Sequence, residues 1–230
     1  MLKTFILTVT TILFLTCSIH AQGKFLAKGQ NGFGLSVSFA SNEDASSIGA
    51  SAGYSIKGMF DFGLGFARAS FDQELEDADE NPAELSATAI SPYVTFHAIK
   101  QEPDKFPLSI ALGAAYEHDS YSSDALDDFD LTMSANSWLF GGSVYSNIDI
   151  TPHFQLQPRG GVTYISTKSK LEDDAGNSIS DTETTTVFGL GLSLVFKTSE
   201  RNKFAVSPGL SVTDDNTTFS IGAGFVFSTP

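Results

Sequence analysis

His118 and Ser120 stand two residues apart in the run His118-Asp119-Ser120, a spacing that puts both side chains on one face of an extended strand. A histidine so placed can take the proton of a serine hydroxyl and turn it into a nucleophile. A second set of polar groups lies scattered among small residues: Asp61, Tyr93, His97, Tyr145, Gln155, Gln157 and Arg159, with Glu117. On strands these positions fall on the face opposite the large apolar residues, where Asp61 and Arg159 could pair, since buried charges need partners. Two stretches, 124–130 and 171–177, are rich in carboxylates. Neither has the alternate-position spacing of a calcium loop, so loosely held divalent cations are the most they suggest. Redox, nucleotide and phosphate-loop motifs are absent, and no cofactor is expected.

The elements that must position these groups read as strands. Residues 188–196 place Phe188, Leu190, Leu192, Leu194 and Phe196 on one face and Gly189, Gly191 and Ser193 on the other. Residues 60–67 and 219–227 repeat the pattern, and period two is the signature of a strand with two unlike faces. Ten such segments can be counted, at about 32–40, 47–56, 59–71, 85–98, 106–118, 132–148, 154–168, 184–197, 204–213 and 217–227. The expected fold is all-β: an antiparallel up-and-down transmembrane β-barrel of ten strands, with eight as the alternative if the terminal segments pair differently.

Connections and charge sort together. Of the short turns at 57–58, 99–105, 149–153 and 198–203, all but the third carry lysines or an arginine, whereas long connections at 72–84, 119–131 and 169–183 hold most of the 27 acidic residues. Short inner turns and long outer loops are the habit of outer-membrane barrels. Aromatics end the greasy faces at Phe106 and Tyr116, Phe154 and Tyr164, and Phe188 and Phe196. Eight to ten residues at ~3.3 Å each, tilted ~40°, span about 20–25 Å, the height of a bilayer's apolar band.

The N-terminus has a basic start at Lys3, an apolar run over 4–16 and a small residue at Ala21. This is the layout of a secretory signal peptide over 1–21, leaving a mature barrel domain of 22–230. Its removal takes away Cys17, the single cysteine, and one positive charge, moving the net charge from −14 to −15. The acidic mature chain has no basic patch for nucleic acid. A soluble barrel would carry charge along its strands; here the faces opposite the large residues are Gly, Ser and Ala.

With these marks the chain resembles the small outer-membrane β-barrel, porin-like family of Gram-negative bacteria, over essentially the whole mature length. The resemblance rests on the leader, the alternating strands such as 188–196, the acidic long loops and the aromatic last strand 219–227. That strand departs from the usual aromatic terminus, because Ser228-Thr229-Pro230 follow Phe227. It implies residence in the outer membrane among its lipids and lipopolysaccharide, and does not by itself assign an activity. The His118-x-Ser120 pattern also resembles that of outer-membrane lipid A deacylases, though the sequence assigns no orienting acid. The expectation is therefore a non-enzymatic barrel, either a narrow porin-like channel or a structural, surface-interacting protein. The alternatives are a lipid-modifying hydrolase using His118 and Ser120, and a soluble periplasmic β-barrel binding protein.

Overall fold

The structure, a computed structural model, describes residues 22–76, 82–102, 106–214 and 216–229; the leader expected over 1–21 lies outside them. After a 3-10 turn at Gln22–Phe25 the chain forms β1 (Asn31–Ser41), β2 (Ala45–Ile56), β3 (Phe60–Glu76), β4 (Pro82–Ile99), β5 (Ser109–Ser122), α1 (Asp124–Asp128), β6 (Leu131–Tyr145), β7 (Ile148–Thr151), β8 (Phe154–Asp173), β9 (Ser178–Lys197), β10 (Asn202–Val212) and β11 (Thr217–Thr229). Each long strand pairs antiparallel with its neighbours in sequence, β1 pairs with β11, and β6 pairs with β8 across the short β7. The sheet closes on itself as ten strands, which leaves no long strand with a free edge.

Burial runs opposite to that of a water-soluble protein. Large apolar side chains face out, with Leu190 68% and Phe219 67% exposed, while Ala67, Ser91, Ser137 and Ser193 are fully buried inside. Such a surface suits lipid, in which the closed ladder satisfies the backbone. The soluble alternative needs charged outer faces that these strands do not have.

The strand cores match the ten sequence segments, and the differences lie at the ends. Residues 72–76 and 82–84 of one expected loop continue as strand with a bulge between Phe71 and Glu74, and 169–173 and 178–183 of another continue as paired strand. β8 and β9 reach 20 residues each, about 50 Å of tilted height, twice the apolar band. On β9 the outward series changes from Phe188 to Thr186, Thr184 and Thr182, so the hairpin leaves the apolar band there and stands beyond it. The expected loop at 119–131 is likewise strand through Ser122, then α1. The segment taken as 132–148 ends at Tyr145, and β7 is a four-residue piece folded against β8. The turn from Ile56 to Met59, closed by Met59 N–H donating to the Ile56 carbonyl at 3.0 Å, has φ of 55° and 63° at Lys57 and Gly58, the double left-handed geometry that matches strand twist.

Candidate functional site

Inside the barrel, at the end with the short turns, the N-terminal segment is seated in the lumen. Gly23 N–H donates to Asp61 Oδ2 at 2.8 Å. Lys100 Nζ donates to the carbonyls of Gly23 and Leu26, Lys203 Nζ to that of Phe25, and Gln157 Nε2 to that of Lys24. Phe25 and Leu26 pack against Val195, Ala205 and Val226. Burial lowers the pKa of Lys24 well below the usual lysine value, and burial lowers that of Lys100 to about 8 against the opposing pull of Asp61. A polar chain continues from Asp61: His97 Nε2–H donates to Asp61 Oδ2 at 3.0 Å, which leaves Nδ1 to accept from the Tyr145 hydroxyl at 2.8 Å.

All the lumen candidates read from the sequence point inward, but not all of them meet. Asp61, His97 and Tyr145 form one cluster. Gln157 joins the seated segment, and Gln155 lies near the rim with Nε2 3.3 Å from Asp149 Oδ1. Tyr93 and Arg159 line a cavity of about 210 Å³ with Leu139, Thr163 and Val187. The expected Asp61–Arg159 ion pair does not form. Asp61 opens β3 at the turn, whereas Arg159 lies on Gly191, where a Cβ would come within 2.5 Å of its Nε. Alternation fixes the face of a side chain and says nothing of its height in a sheared barrel. Asp119, placed in a loop by the sequence, faces inward on β5 with Glu117, both fully buried. Neither has an ion-pair partner among the described residues.

Above the cavity an apolar cluster shares the lumen with the inward carboxylates of Glu117 and Asp119. Phe71, Leu85, Tyr121 and Met133 pack there with five inward alanines of β3, β4 and β6, and Leu126 of α1 closes over them.

The outer wall holds a different arrangement. His118 and Ser120 both face outward on β5, and Asn136 of β6 stands directly opposite His118 in the ladder. His118 Nδ1 lies 2.9 Å from Asn136 Oδ1, and Ser120 Oγ lies 3.5 Å from His118 Nε2. The Tyr116 hydroxyl donates to the same Asn136 oxygen at 2.5 Å. Sequence reasoning missed Asn136 because the partner sits on the next strand, 18 residues away, and only register reveals it.

No family model matches the sequence, and no curated protein matches it. Solved structures do. The translocator domain of autotransporter NalP from Neisseria meningitidis superimposes with a TM-score of 0.54 at 16% identity, covering 87% of this chain and 88% of that one. The fold is that of the outer-membrane β-barrels. The β domain of the Bordetella autotransporter BrkA agrees, with a TM-score of 0.51 at 12% identity over 86% of this chain and 98% of that one. Identities this low speak for the barrel alone, and any activity of this outer-membrane barrel has to be argued from its own residues.

Proposed function

We propose that this chain is a sealed outer-membrane barrel, a structural and surface-displaying body and not an open diffusion pore. The observation that carries the reading is the segment 23–26 seated inside the lumen, held by Asp61, Lys100, Gln157 and Lys203. Its backbone N–H and carbonyl groups are met by the buried Asp61 and Gln157 and the half-buried Lys100 and Lys203, so it occupies the lumen as packed structure and not as a loose tail. The apolar layer of Phe71, Leu85, Tyr121 and Met133 supports the same reading from the other end, because a water path would have to wet those side chains. What the barrel offers its surroundings is then its outside: the apolar wall to membrane lipid, and the acidic hairpins β3–β4 and β8–β9 to whatever lies beyond the membrane.

Planar-bilayer recording of the folded full chain tests this. The expected record is silent, under conditions in which gel mobility confirms a folded barrel. Reproducible unit steps from the unmodified protein would overturn the sealed-barrel reading and return the porin. Fractionation tests the location: the protein should remain with outer membranes and need detergent for release.

A further inference from the structure

A group on the outer wall, unconnected with the lumen, has the order nucleophile, base, orienter. We propose that Ser120, His118 and Asn136 form a serine ester-hydrolase site open to the membrane, acting on phosphate-bearing acyl lipids of the adjoining leaflet.

The hydrogen bonds fix the roles. An amide oxygen only accepts, so Asn136 Oδ1 requires the proton of His118 to sit on Nδ1. Nε2 then presents its lone pair toward Ser120 Oγ, 3.5 Å away. That separation is longer than a working hydrogen bond and within what sites without substrate show. Tyr116 holds the same amide oxygen from the other side, so Asn136 is pinned between two donors. All these residues stand on paired strands, where their spacing is set by register.

The depth suits a lipid ester. Tyr116 and Trp138, with ring centroids 5.1 Å apart, are paired across β5 and β6, and Tyr164 is exposed on β8. Such aromatics mark the boundary between hydrocarbon and headgroups. His118 and Ser120 lie one and two outward positions further along β5, about 5 and 10 Å above the boundary after tilt. That is the headgroup layer, where acyl esters begin.

Charge points to the substrate. One continuous row of the ladder reads Arg68, Thr88, Ser120, Ser134, Lys170, and the next reads Ile90, His118, Asn136, Lys168. Among the described residues, these are the lysines and arginines beyond the aromatic boundary at the long-hairpin end. In a chain of net charge −14 they flank the serine on both sides, about two strand spacings or ~10 Å away. Arg68 and Lys168 are exposed, while Lys170 is paired with Glu172. A phosphate group on either side of the ester would meet a cation.

The chemistry balances without a further reactant than water. Ser120 Oγ attacks the ester carbonyl carbon as its proton passes to His118 Nε2. The hydroxyls of Thr88 and Ser134, in register on either side, are the donors available to the developing oxyanion. The carbon–oxygen bond to the lipid breaks, and Nε2 returns the proton to the departing alkoxide. Water then attacks the acyl-serine, gives its proton to Nε2, and the fatty acid leaves as Ser120 recovers its hydrogen.

The test uses the full chain folded into vesicles of phosphatidylglycerol, of phosphatidylcholine, and of phosphatidylcholine doped with lipid A. Released fatty acid is measured, and a fluorophosphonate label is located by peptide mass. Fatty-acid release from a phosphate-bearing anionic lipid together with labelling at Ser120 is expected, and whichever of phosphatidylglycerol and lipid A is cleaved names the source. Ser120→Ala should abolish both while folding, judged by gel mobility, is unchanged. Asn136→Ala should lower kcat about 100-fold or more, with Asn136→Asp restoring it, a rescue that a purely structural role would not produce. Arg68→Glu with Lys168→Glu should raise KM for the anionic lipid without changing kcat. No release and no label from the folded wild-type chain, or release that persists in Ser120→Ala, overturns the proposal.

Discussion

A Cβ on residue 23 would stand 2.5 Å from both Asp61 Oδ1 and His97 Nε2, so only glycine lets the backbone N–H reach the Asp61 carboxylate. Gly23→Ala should therefore unseat the segment and leave Asp61 short of a donor. The expected cost is about 1–3 kcal/mol, the penalty of an unsatisfied buried acceptor, read as a lower urea midpoint for unfolding from vesicles. An unchanged midpoint would mean that the seated segment contributes nothing to the fold. Asp61, His97 and Tyr145 were legible as inward residues from alternation alone. Their partner was not, because Gly23 precedes every strand and meets Asp61 across 38 residues of chain. For Asn136 the missing information was register, and for Arg159 it was height within the barrel.

At the scale of the strand, the contrast between Leu192 and Thr184 on β9 isolates the membrane's contribution. Both face outward; Leu192 lies at the centre of the apolar run 188–196, and Thr184 lies beyond it. Arginine at 192 should cost about 2–4 kcal/mol and arginine at 184 about 0–1 kcal/mol, measured by refolding into vesicles at matched urea. Equal costs at both positions would contradict the placement of the apolar band. The same contrast explains which parts of the strands could be read from sequence. Within the band, hydrocarbon demands large residues outside and the lumen admits small ones, so alternation is strict. Beyond it, β3, β4, β8 and β9 continue on backbone pairing, and on β9 the residues from Ser178 to Thr186, mostly Ser, Thr, Asp and Glu, are exposed or half-exposed on both faces. Nothing in that composition distinguishes an extended hairpin from a loop, which is why 72–84 and 169–183 read as loops.

For the whole molecule, closure of the lumen at two levels makes a prediction that neither level makes alone. On the sealed-barrel proposal, the seated segment closes the end with the short turns, and the layer under α1 closes the other. Gly23→Ala opens only the first and should remain silent in a planar bilayer. Phe71→Ala with Leu126→Ala hollows only the second and should also remain silent. Combining the three substitutions joins the 210 Å³ cavity to both mouths and should produce unit steps. Those steps should favour cations, since Glu117 and Asp119 face the path so opened and the rim is acidic. Each large-to-small change in the layer costs about 3–5 kcal/mol for Phe and 2–5 kcal/mol for Leu, so heat-modified gel mobility must first confirm that the triple variant is folded. Steps from Gly23→Ala alone would mean that the apolar layer is no barrier, and silence from the folded triple variant would place the constriction elsewhere in the lumen, at the level of Arg159 and Tyr93. The serine on the outer wall is indifferent to these changes: its strands keep their register in every variant, so lipid hydrolysis and conductance should vary independently.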